Sequence, residues 1–181
     1  MKPTVMVLAI FIIFILSLAI FETETTAKTS YQEDQIIRYS QLDEIDRKQV
    51  ECLAQNIYYE ARGEGEDGHI AVALVTMNRS LSKLYPNNLC HVVREKLGKT
   101  CQFTWWCDPS LRSKATTYNY TREERKVYNN IRELAMHVYV NRDHIEDFTG
   151  GAIFYHANYV NPRWKYKKTA QIGNHIFYKT R

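Results

Sequence analysis

The sequence lacks every short spacing that announces a metal centre or a nucleic-acid module. Neither Cys-x-x-Cys nor His-Glu-x-x-His occurs, and the six histidines (His69, His91, His137, His144, His156, His175) are scattered, so no metal and no cofactor are expected. Helix-turn-helix, zinc-finger and RNA-binding signatures are equally missing, which removes nucleic acid from the expected partners. No segment repeats at a fixed period, which excludes solenoids and propellers. At 181 residues the chain suits one domain of catalytic size, expected to be a monomer. Acidic residues are absent from Asn161 onward, where Arg163, Lys165, Lys167, Lys168, Lys179 and Arg181 stand unopposed, although the whole chain carries only +4. Such a region suits either an anionic polymer or an ordinary solvated face.

What is present begins with a hydrophobic run. Val5 to Phe21 is interrupted only by Ser17, follows Lys2 and precedes Glu22 and Glu24. Its length and charge flanks read as an export signal with the N-terminus inside and the remainder outside. Thr25-Thr26-Ala27 is a poor cleavage site, so residues 1–22 are expected to stay as a signal anchor, or to be removed as a signal peptide from a secreted protein. Residues 23–41 read as a polar tether, and 42–181 as the folded domain, on the periplasmic or extracytoplasmic side. Four cysteines outside the cytoplasm suit two disulfides, with three possible pairings, of which Cys101–Cys107 is the easiest to close. A cysteine nucleophile, Cys52 or Cys90 with the remote His156, is the rival use of the same residues.

Val50, Leu53, Ala54 and Ile57 recur at helical spacing, and Asp46-Arg47-Lys48-Gln49 reads as a capping box, so the first helix is expected from Asp46 to a stop at Gly63. Glu60 falls on its apolar stripe, where a hydrophobe belongs. Burial and the negative end of the helix both raise a carboxyl pKa, which prepares a general acid. The bland alternative turns Glu60 to solvent or pairs it with Arg62. Ile70–Asn78 reads as a second, buried helix; Tyr85-Pro86-Asn87-Asn88 breaks it, and Asn88 caps a short helix through Val92 and Val93. Cys101 to Pro109 reads as an ordered aromatic loop. Thr121-Arg122-Glu123-Glu124 is a capping box for a helix from Arg122 to Val140. Ala152–His156 and Ile176–Tyr178 fit strands, with a turn at Asn161-Pro162. The fold class expected is α+β, mainly helical with a small antiparallel β element.

The motifs Ile57-Tyr58-Tyr59-Glu60-Ala61-Arg62-Gly63-Glu64, Gly68 with Ala71-Val72-Ala73, Asn78-Arg79, Tyr85-Pro86, Gln102-Phe103-Thr104-Trp105, Gly151-Ala152, Tyr155-His156 and Ile172-Gly173-Asn174-His175-Ile176-Phe177-Tyr178 follow in order. In that order they resemble the SleB-type cell wall hydrolases, a family of spore cortex-lytic enzymes and related bacterial and phage proteins. The resemblance implies a lysozyme-like domain that cuts peptidoglycan glycan strands, with Glu60 as the acid/base. Its motif residues Tyr58, Tyr59, Arg62, Gln102, Phe103, Trp105, Tyr155, His156 and His175 are the expected substrate contacts. A hydrolysing glycosidase needs a second carboxylate, and Glu64 is the candidate for a supporting role; a lytic transglycosylase manages with one. A peptidoglycan amidase and a non-catalytic wall-binding protein are the alternatives.

Overall fold

Asp43 begins the first helix. The computed structural model describes residues 39–181; the expected membrane segment and most of the tether lie outside the described residues. Among the described residues no helix is long and apolar enough to cross a membrane. Residues 39–42 hold one 3-10 turn, Tyr39–Gln41, and a compact unit runs from Asp43 to Arg181.

Helix α1 (Glu44–Ala61) is capped by Asp43, whose side chain accepts from Asp46 N at 2.8 Å. It therefore starts earlier than the Asp-x-x-Gln pattern suggests, because both residues of that pattern are engaged elsewhere. Asp46 accepts from the Tyr139 hydroxyl at 2.7 Å, and the Gln49 side-chain oxygen accepts from Leu89 N at 2.8 Å. Val50, Leu53, Ala54 and Ile57 are fully buried, and α1 is the axis against which the other helices pack. Helix α2 (Glu66–Leu81) extends beyond the expected Ile70–Asn78 at both ends. Its first turn carries Glu66 and Asp67, which favour the positive end of a helix although Gly65 offers no side-chain cap. Helix α3 (Leu89–Arg94) starts on the Asn88 cap as expected.

Two elements interrupt the expected aromatic loop. A two-residue hairpin, β1 (Lys96–Leu97) with β2 (Thr100–Cys101), turns through Gly98 at φ +64°. Then a single helical turn, α4 (Thr104–Cys107), leads into α5 (Pro109–Thr117). The cue for α5 is Asp108-Pro109: the aspartate accepts from Ser110 N and Leu111 N at 2.8 and 3.1 Å, and proline suits the first helical position. Only Ala115 of α5 is buried, so no apolar stripe reveals it in the sequence. Helix α6 (Arg122–Val140) carries both bonds of the Thr121/Glu124 capping box and coincides with the expected range.

The chain ends in a three-stranded antiparallel sheet, ordered β3-β5-β4, of β3 (Phe154–Ala157), β4 (Lys167–Ile172) and β5 (His175–Lys179). Strand β4 was not expected, since the sequence placed only a turn at Asn161-Pro162 between the two strands; its Lys-Lys-Thr-Ala-Gln-Ile sequence lies on the sheet edge and alternates only at Ala170 and Ile172, too short a pattern to read. Phe177 and Tyr155 turn inward onto Ala71 and Val75 of α2, which fixes the sheet against the helical core. The fold is thus mixed, mainly helical with small antiparallel sheets.

Candidate active site

The stripe that buries Leu53 and Ile57 runs on to Glu60, which stands half-buried at the C-terminal end of α1. Burial raises the Glu60 carboxyl above its ordinary 4.5, opposed by a hydrogen bond from Tyr155 and by the charge of Arg79. The Tyr155 hydroxyl donates to Glu60 Oε2 at 3.0 Å. Burial, and then the negative charge of Glu60, hold the Tyr155 phenol well above its usual range, so it keeps its proton and remains a donor. Arg62 does not pair with Glu60; its guanidinium lies 5.3 Å from the Tyr58 ring centroid.

Glu60 opens into a groove of about 550 Å³. One wall comes from the segment closed by the Cys101–Cys107 disulfide, which presents Gln102, Phe103, Thr104 and Trp105. Trp105 stacks on Tyr59 with centroids 4.6 Å apart, and its indole N–H donates to Asn56 Oδ1 at 3.0 Å. Asn56 in turn donates to Thr76 at 3.0 Å, so a buried polar chain from α2 through α1 orients the tryptophan. The sheet supplies another wall through Tyr155, His156, Ala157 and His175, and the connection after β3 adds Tyr159. Burial holds His175 below the ordinary histidine value, favouring the neutral ring.

Of the expected contacts, Tyr59, Gln102, Phe103, Trp105, Tyr155, His156 and His175 line this groove. Tyr58 and Arg62 do not. Tyr58 is 1% exposed and packs edge-on against Tyr59, Tyr120 and Tyr128, so it supports the groove from behind. Glu64 is also outside the groove. Its carboxylate accepts from Asn174 N at 3.2 Å and from Asn174 Nδ2 at 2.9 Å, which ties the α1–α2 turn to the β4–β5 hairpin. Desolvation pushes the Glu64 carboxyl up, but these two bonds together with the charges of His175 and His69 outweigh it and the net shift is downward.

Sequence reasoning assigned no role to Arg79, Asp108, Leu111 or Tyr159, all of which line the groove. Arg79 had a readable signal: it falls seven residues after Val72 and four after Val75, on the buried stripe of α2, as Glu60 does on α1. Its Nε donates to Ile153 O at 2.8 Å, and its guanidinium lies 4.8 Å from the centroid of Phe103. Tyr159 stands in an irregular connection and gave no signal.

All four cysteines are paired, as Cys52–Cys90 and Cys101–Cys107. That removes the rival in which Cys52 or Cys90 is a nucleophile, because neither sulfur is a thiol. Among the described residues no group of three or more His, Cys, Asp and Glu side chains is gathered to hold a metal ion.

The chain is similar to the spore cortex-lytic enzyme of Halalkalibacterium halodurans, 28% identical over 135 residues, covering 71% of this chain and 34% of the relative. It is also similar to the spore cortex-lytic enzyme of Bacillus subtilis, 45% identical over 51 residues, or 28% of this chain and 17% of that one. The chain thus spans at most about a third of the curated relatives it matches. Among solved structures, it resembles the catalytic domain of the germination-specific lytic transglycosylase SleB of Bacillus anthracis, with a TM-score of 0.54, 25% identity, and coverage of 76% of this chain and 97% of that one. The sequence model of the Cell Wall Hydrolase family matches residues 63–178, more than half of the chain, and the protein belongs to that family.

Proposed function

We propose that the groove binds a peptidoglycan glycan strand and that Glu60 cleaves it as a lytic transglycosylase. The observation that carries this reading is a half-buried carboxyl on the groove, its pKa raised by desolvation and one oxygen held by Tyr155. Glu60 precedes the range matched by the family model, so its assignment rests on this geometry. The only other carboxylate lining the groove, among the described residues, is Asp108, whose Oδ1 is committed to capping α5. That supports a mechanism with one carboxyl group.

Glu60 begins protonated and gives its proton to the glycosidic oxygen between muramic acid and the next sugar, as the bond from that oxygen to the anomeric carbon breaks. The new carboxylate then takes the proton of the muramic 6-hydroxyl, whose oxygen closes onto the anomeric carbon. The product end is a 1,6-anhydro sugar, and Glu60 has regained its proton. Tyr155, bonded to Oε2, leaves Oε1 to carry the proton in both steps. Tyr59, braced by the buried Trp105, offers a flat face to the sugars, and neutral His175 a polar edge. Glu64 serves in a positioning role, holding the hairpin that carries His175.

Purified protein acting on sacculi should release anhydro-muropeptides, identified by mass spectrometry. Glu60→Gln should lower that rate at least ~100-fold, the lower end of what acid–base catalysis contributes. Release of free stem peptides in place of anhydro sugars overturns the proposal in favour of the amidase reading.

A further inference from the structure

Strand β3 alternates, so Tyr155 faces the core while Phe154 and His156 face outward, and Tyr178 of β5, opposite Phe154, shares that outer face. The connection from β3 to β4 folds back over it. Tyr166 stacks on Phe154 with centroids 4.1 Å apart and planes 6° from parallel, and Trp164 meets Phe154, His156 and Tyr178 at 6.1, 5.3 and 5.7 Å. The result is an aromatic surface braced from below yet open above, with Trp164 41% and Tyr166 37% exposed. Arg163 and Lys165 flank Trp164 in the chain, and Lys168 of β4 pairs with Tyr178 and so shares this face; all three are exposed. No acidic residue occurs from Asn161 to Arg181 to neutralise them.

This face is continuous with the groove. His156 lines the groove, and its Nε2 lies 3.0 Å from the Tyr178 hydroxyl on the outer face. Tyr159, 86% exposed, lines the groove from the same connection that carries Trp164.

We infer that the outer face of the β3-β5-β4 sheet is an accessory binding platform for the glycan strand as it leaves the groove: Trp164 and Tyr166 meet sugar faces, and the three cations meet carboxylates on the strand. The inference rests on the reading of the groove as a glycan site. The ligand is an acetylated amino-sugar polymer bearing lactyl or peptide carboxylates, whose flat apolar faces and negative groups match both halves of the surface. A short neutral oligosaccharide satisfies only the groove.

The test measures retention of the full-length Glu60→Gln protein, in mild detergent, on purified sacculi. Adding Trp164→Ala should weaken retention roughly tenfold, the scale of one lost aromatic contact with its buried area. Because Trp164→Ala also unpacks the connection, a second variant reverses charge at exposed positions, Arg163→Glu with Lys165→Glu. Its retention should fall at least several-fold in low salt, and the deficit should shrink near 1 M salt, where screening acts within about 3 Å. Equal retention of all three proteins overturns the platform. So does quenching of the Trp164 fluorescence, taken as the difference between the proteins with and without Trp164→Ala, by brominated phosphatidylglycerol vesicles holding the full chain, since that assigns the face to lipid. A Glu60→Gln protein that still releases product overturns the acid/base assignment alone and leaves the retention ratio to be read.

Discussion

A single proton on Glu60 links stability to catalysis at the scale of one residue. Unfolded, this carboxyl titrates near 4.5; folded, burial moves it up. The folded state therefore holds the proton more tightly. The stabilisation from that difference is complete below the unfolded value and is lost as pH rises through the folded one. Glu60→Gln should accordingly melt at a higher temperature than the native protein at neutral pH, and the gap should close below pH 4.5 in thermal scans. Tyr155 acts in the opposite direction, because its hydrogen bond favours the charged carboxylate. Tyr155→Phe should lower kcat by about tenfold, the equivalent of one charge-assisted hydrogen bond, and move the alkaline limb of the pH–rate profile to higher pH. A fall in rate with no movement of that limb reduces Tyr155 to packing. Gly173 offers a second single-residue test. It turns at φ +52°, and a Cβ there meets Glu64 Oε2 at 2.2 Å. Gly173→Ala should cost roughly 1–2 kcal/mol in denaturant melts and loosen the hairpin that carries His175. Glu60 was legible in the sequence because a charged residue stood where a buried stripe required a hydrophobe; Arg79 carried the same signal on α2 and went unread. Tyr58 belonged to the same motif, yet motif membership does not distinguish a residue that lines a groove from one that backs it.

Among elements, the two disulfides should fail differently. Cys101–Cys107 spans a sequence separation of 6 and encloses four consecutive groove residues, Gln102 to Trp105. Cys52–Cys90 spans 38 and ties α1 to α3, away from the groove. Chain-entropy arguments assign about 2 kcal/mol to the short loop and about 4 kcal/mol to the long one. Replacing both short-loop cysteines with serine should cost the smaller stability in thermal melts and the larger rise in KM on sacculi. The Cys52/Cys90 pair should show the reverse; the same order for both quantities counts against a disulfide-held wall. Helix α6 was readable to the residue because a capping box and an amphipathic stripe coincide there. Strand β4 and helix α5 were not, since each buries too little for hydrophobic periodicity to record it. What specifies β4 is tertiary, its place as the edge partner of β5, whereas α5 is specified by the local Asp108 cap, a cue outside hydrophobic periodicity.

On the scale of the whole molecule, two disulfides suit an oxidising compartment outside the cytoplasm, and we propose that the hydrophobic segment Val5–Phe21 directs the domain there. A periplasmic reporter fused after residue 41 should be active; activity confined to a cytoplasmic reporter sinks that placement. The order of the strands carries a further consequence, one of timing. Strand β5 lies between β3 and β4, so the last strand to leave the ribosome is the centre of the sheet. Until it is made, β3 has no partner, and Tyr155 has neither a fixed register nor Phe177 behind it. Glu60, Arg79 and Trp105 are all synthesised earlier, and they wait for it. On the mechanism proposed above, the chain carries Glu60 long before the strand that orders Tyr155 beside it exists, and activity waits for β5.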